Sequence, residues 1–169
     1  MDSTLLRQVQ EPLKDKYRVS PEAALVTLKA TSRIGEGITC KIETGKMLAE
    51  AGLHPATGGD GLTVCSGDML LEALAACAGV TLKAVATAIE FNLQDAYVKV
   101  EGDLDFRGTL SVDRNAPVGF KNIRLQFQLH TNESPEKIDT LIKLTERYCV
   151  VYQTLVKGNR IDVSISEHK

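Results

Sequence analysis

The sequence has no tryptophan, only three histidines (His54, His130 and His168) and no CxxC pair. Zinc ribbons and fingers need paired Cys or His at short spacing, and many zinc hydrolases need HExxH, so a metal site built by the chain is not expected. An excess of charge is missing too: 20 basic and 22 acidic residues leave a net charge of -2. With no Lys/Arg run and no RNA-binding aromatic motif, there is no electrostatic case for nucleic acid or an anionic membrane surface. The segment MDSTLLRQVQEPLKDKYRVS lacks the basic, apolar and small-residue order of a secretory signal. The longest apolar-rich stretch, Met69 to Phe91, is interrupted by Glu72, Lys83 and Glu90. These absences lead to the expectation of a soluble cytoplasmic protein. The Gly-rich stretch GGDG (58–61) lacks the Lys-Ser/Thr of a phosphate-binding loop.

What is present is one domain's worth of chain, 169 residues with 43% apolar content, enough to bury a core without staples. Residues 1–22 read as a polar N-terminal arm ending at Ser20-Pro21, and residues 23–169 as a single domain. LVTLKATS and GEGITCKIETG are extended, with Ile38, Cys40 and Ile42 on one strand face. A Gly-rich loop (51–61) precedes a long helix from about Asp68 to Phe91. AYVKVEGDLDF and KNIRLQFQLHT alternate as strands around a loop. Ser134 and Pro135 then open a second helix as N-cap and first helical residue, with Ile138, Leu141, Ile142 and Cys149 on its apolar face. KGN (157–159) ends it, and RIDVSIS makes a last strand. The order predicts an α+β fold in which helices pack on an antiparallel sheet.

Chemistry is concentrated in four cysteines: Cys40, Cys65, Cys77 and Cys149. Cys40 reads as core, and Cys65 as a loop thiol at the entrance of the long helix. Cys77 lies in ALAACAG, where small neighbours let another backbone approach closely. It has three readings: a small core residue, a structural half-cystine, or a nucleophile. Burial among Ala and Leu pushes a thiol pKa up, and only the thiolate attacks. A working Cys77 therefore needs a cation or donors nearby. On an ideal helix Leu70, Ala73, Leu74 and Thr81 share its face, while Glu72 and Asp68 point elsewhere. The helix carries no cation for it. Cys149 sits on the apolar face of a separate helix and meets Cys77 only if the two helices pack together.

SGDMLLEALAACAGVTL (66–82) and ERYCVVYQTLVKGNRIDVSI (146–165) together resemble the family of osmotically induced protein C and the organic hydroperoxide resistance proteins. The resemblance covers roughly residues 26–166. It implies an OsmC-like α+β fold, with an antiparallel sheet packed on two long central helices in an intertwined homodimer. It also implies a cysteine-dependent peroxidase that reduces organic hydroperoxides to alcohols. Carried over, Cys77 is the attacking cysteine and Cys149 the resolving one. Arg33 of TSRIGEG is the thiolate-stabilising cation. No cofactor is implied, and an external dithiol of lipoyl or other type restores the thiols. The family pattern places Pro-Glu at the start of the first helix, where this chain has Ser66-Gly67. It places Pro after the second cysteine, where this chain has Val150. These departures leave a second reading, a non-catalytic member binding a small apolar or thiol ligand at the dimer interface.

Overall fold

The computed structural model describes residues 3–34, 40–43, 52–62 and 64–165. A helix α1 (Ser3–Val19) is followed by a single 3-10 turn and by strands β1 (Leu25–Ile34) and β2 (Cys40–Glu43). The long helix α2 (Ser66–Ala88) leads into β3 (Asp95–Asp105), the one-turn helix α3 (Phe106–Thr109) and β4 (Phe120–His130). Helices α4 (Pro135–Tyr148) and α5 (Val150–Lys157) complete the regular structure. The four strands form one antiparallel sheet in the order β2-β1-β3-β4, the α+β arrangement that the sequence pattern predicts.

Strand β3 shows why one face of the sheet is buried. Ala96, Val98, Val100 and Leu104 alternate inward, while Tyr97, Lys99, Glu101 and Asp103 point the other way. The inward face receives α2, whose Leu71, Leu74, Ala75, Ala78 and Leu82 are fully or almost fully buried. By length and composition α2 is apolar enough to cross a membrane, but here it is the core helix against the sheet. Gly102 permits the close approach, because a Cβ there would stand 2.5 Å from the Phe120 ring and 3.2 Å from Leu71. Ion pairs cover the outward face: Asp103 with Arg124, Lys99 with Glu101, and Arg33 with Asp95.

One feature is left open by the sequence, and two differ from its expectation. Helix α1 packs back onto the chain: Tyr17 is buried, its hydroxyl donates to the Ala56 carbonyl at 2.7 Å, and Gln10 Nε2 donates to the Thr57 carbonyl at 3.1 Å. The second long helix is two helices, because Cys149 adopts an extended backbone (φ -71°, ψ 107°) between α4 and α5. The break is supported locally, since Gln153 Nε2 donates to the Glu146 carbonyl at 2.8 Å. Finally, RIDVSIS is not a strand within one chain. Ile161, Val163 and Ile165 are 83%, 87% and 92% exposed, so this alternating apolar segment pairs with and packs on nothing among the described residues.

Candidate active site

The α4–α5 break places two thiols together. Cys77 lies in the middle of α2 and is half-buried, whereas Cys149, the residue at the break, is 1% exposed. Both are free thiols, and the Cys149 side chain is within hydrogen-bonding reach of Cys77. Around them the first turn of α5 abuts α2. The first backbone N–H groups of any helix lack acceptors within that helix. Here the Val151 and Val150 N–H groups favour the charged form of Cys77, and those of Tyr152 and Val151 pull against the rise at Cys149. The Thr81 side chain, one turn beyond Cys77 on its face of α2, acts on Cys77 in the same direction.

These contacts separate the two thiols electrostatically. Burial pushes Cys77 up, but the Val151 N–H, the Cys149 and Thr81 side chains and the Val150 N–H outweigh it, and Cys77 ends below the ordinary thiol value. Cys149 is pushed up to about 11, by burial first and then by Cys77 beside it, against the opposing pull of the Tyr152 and Val151 N–H groups. Of the two thiols, Cys77 is the one favoured as thiolate.

Arg33 is not brought to this pair within one chain. It stands opposite Tyr97 in the β1–β3 register, and residues directly opposite share a face of the sheet. That face is the outward one, away from α2. There the guanidinium chelates Asp95 and lies 5.1 Å from the centre of the Tyr97 ring. The groups that lower the Cys77 value are backbone N–H groups of α5 and the Cys149 and Thr81 side chains. Sequence reasoning named Thr81 as a facial neighbour but missed the α5 donors.

An apolar groove of about 550 Å³ adjoins the pair through Thr81 and is lined also by Val80, Ala84, Leu144 and Tyr148. A second cavity of about 410 Å³ lies at the opposite end of α2, where Cys65, His54, Leu70 and Phe106 contribute to the wall. Cys65 serves there as the α2 N-cap, its sulfur accepting from the Gly67 N–H at 3.3 Å. His54 stacks on Phe106 at 4.9 Å, and its Nδ1 accepts from the Ala56 N–H. Burial holds His54 below the ordinary imidazole value, opposed by Asp68. Cys40 lies on β2, and its side chain is outside the described residues. Among the described residues no three His, Cys, Asp or Glu side chains converge as a metal site.

Comparison with known proteins follows from this geometry. The family model described as OsmC-like protein matches residues 58–165, the segment that contains α2, both thiols and α5. Among solved structures, an OsmC-like hydroperoxide resistance protein from Jannaschia sp. CCS1 superposes with a TM-score of 0.61 at 17% identity, over 85% of this chain and 95% of that one. No curated protein matches the sequence.

Proposed function

This chain belongs to the OsmC-like protein family, and on that premise we infer that it is a cysteine-dependent peroxidase that reduces organic hydroperoxides to alcohols. The observation that carries this reading is the unequal thiol pair: Cys77 favoured as thiolate, with the protonated Cys149 beside it. In the proposed cycle the Cys77 thiolate attacks the terminal peroxide oxygen. The O–O bond breaks, the alkoxide takes a proton and leaves as the alcohol, and Cys77 is left as a sulfenic acid. Cys149 sulfur then attacks that sulfur; the S–S bond forms, and the departing hydroxide leaves as water with the Cys149 proton. An external dithiol, of lipoyl type or similar, reduces the disulfide by two exchange steps and is itself oxidised.

The groove beside Thr81, with its aliphatic walls and Tyr148, suits an alkyl or aryl hydroperoxide tail better than a small hydrated peroxide. The working unit in this reading is a homodimer. Its support is the apolar surface one subunit leaves uncovered, namely this groove and the exposed Ile161, Val163 and Ile165.

The test is turnover of cumene hydroperoxide with a dithiol as reductant. Wild type is expected to consume peroxide catalytically and Cys77→Ser not at all. Cys149→Ser is expected to react once and leave a sulfenic acid that dimedone traps on Cys77. Unchanged turnover in Cys77→Ser overturns the assignment. A wild-type protein inert to peroxides and forming no Cys77–Cys149 bond favours the non-catalytic ligand-binding reading instead.

A further inference from the structure

We propose that Gln153 is a positioning residue: it holds the break between α4 and α5, and with it the backbone that presents Cys149 to Cys77. The proposal rests on the peroxidase reading for its use in a catalytic cycle. Its physical content is how two thiols are kept within reach of a bond.

Two arrangements compete for the chain around Cys149. The apolar pattern runs on through Val150 and Val151 with no Gly or Pro, so one uninterrupted helix is open to it. In that helix the Glu146 carbonyl would accept from the Val150 N–H, four residues on. The observed chain takes the other course. The ladder of α4 reaches the Cys149 N–H, which donates to the Thr145 carbonyl at 2.9 Å. Cys149 then adopts ψ 107° in place of a helical value of about -42°, and this turns the Val150 N–H away from Glu146. A carbonyl in the last turn of α4 loses its helical partner.

Gln153 replaces that partner. Its Nε2 donates to the Glu146 carbonyl at 2.8 Å, and its backbone N–H donates to the Cys149 carbonyl at 2.9 Å. One residue thus bonds on both sides of the break, to the end of α4 and to the cysteine itself. Gln153 is half-buried, so water competes less for the side-chain bond. Both α4 and α5 pack on α2, and Cys149 is 1% exposed in the core cluster against which Cys77 packs. A disulfide tolerates only a narrow range of Cα separation and torsion. Straightening the break would turn the Cys149 ψ by about 150° and redirect α5 relative to α2. The bond from Gln153 to Glu146 favours the broken arrangement over the straight one.

The test uses a glutathione redox buffer and no peroxide. Oxidised glutathione takes two electrons and two protons from Cys77 and Cys149, their S–S bond forms, and two glutathione thiols are released. The bonded fraction, read by alkylation and mass spectrometry of the two cysteine peptides, gives the equilibrium constant. Gln153→Met keeps the length of the side chain without a donor, and Gln153→Lys keeps an N–H donor of similar reach. Gln153→Met is expected to lower the constant about tenfold, the worth of one well-made hydrogen bond, and Gln153→Lys to recover most of that loss. An unchanged constant in Gln153→Met overturns the proposal, as does an equal loss in Gln153→Lys. So does a wild-type protein that forms no Cys77–Cys149 bond.

A second measurement reads the break itself. The backbone carbon chemical shifts of Cys149 are expected to be extended in wild type and to move toward helical values in Gln153→Met. Helical shifts in the wild type overturn the proposal without any variant. A wild-type protein that meets these expectations but turns over no peroxide would count against the proposed function and leave the positioning role standing.

Discussion

Thr81 and Cys149 both act on the Cys77 sulfur, and their contributions are separable by substitution. Thr81→Val keeps the shape of the side chain but removes the hydroxyl through which Thr81 lowers the Cys77 value. A hydrogen bond to a charged group is worth about 1.5–3 kcal/mol. The variant is therefore expected to show a Cys77 pKa at least one unit higher in an alkylation pH profile, with the fold unchanged by circular dichroism. Cys149 differs in kind, because its own high value is partly imposed by the charge on Cys77. In the proposed cycle Cys77 becomes a neutral sulfenic acid, which removes that repulsion and lowers the Cys149 value while burial still holds it up. In a Cys77→Ala variant Cys149 is accordingly expected to ionise at lower pH than in wild type, measured by alkylation of the Cys149 peptide. An unshifted value would assign the whole elevation to burial.

At the scale of elements, packing is tight at Gly102, which faces both Phe120 of β4 and Leu71 of α2. Gly102→Val would drive a branched side chain into the Phe120 ring and Leu71. Overpacking of this kind costs about 1–3 kcal/mol, and a lowered urea midpoint with an unchanged slope is the expected result. Much of this layer was legible beforehand. The strict alternation of Ile123, Leu125, Phe127 and Leu129 identifies β4, and the Ala-rich apolar run identifies α2. The break at Cys149 was not legible, because Val150 and Val151 continue the apolar pattern and no Gly or Pro marks an end. Its position is set by tertiary contact with α2, which a single-sequence periodicity does not contain. The position of Arg33 was hidden for a related reason. Which face of β1 it occupies depends on register with Tyr97, and a one-residue slip would reverse it.

For the molecule as a whole, stability depends on buried charge as well as on the apolar layer. Asp105 is 1% exposed and is held by Arg107, whose guanidinium keeps the carboxyl below the usual carboxylate range against the upward push of burial. A carboxyl depressed in the folded state adds stability above the ordinary carboxylate pKa, and that stability is lost as pH falls through the folded value. Removing the partner leaves an unpaired buried charge, at a cost of about 3 kcal/mol. Arg107→Ala is expected to melt well below wild type at neutral pH, with the gap narrowing on acidification as Asp105 in the variant takes up its proton.

The same whole-molecule view applies to the thiol pair. Cys77 and Cys149 stand 72 positions apart, and the chain between them contains β3, β4 and α4. A bond between them would close that span into a covalent ring and restrict the unfolded chain, a stabilisation of about 4 kcal/mol in the loop-entropy account. The oxidised protein is then expected to melt above the reduced one. Thermodynamic reciprocity turns this around: whatever the ring adds to folding, folding adds to the resistance of the ring against reduction. A fold that brings these two sulfurs together so closely thereby sets how strong a reductant must be to reopen them.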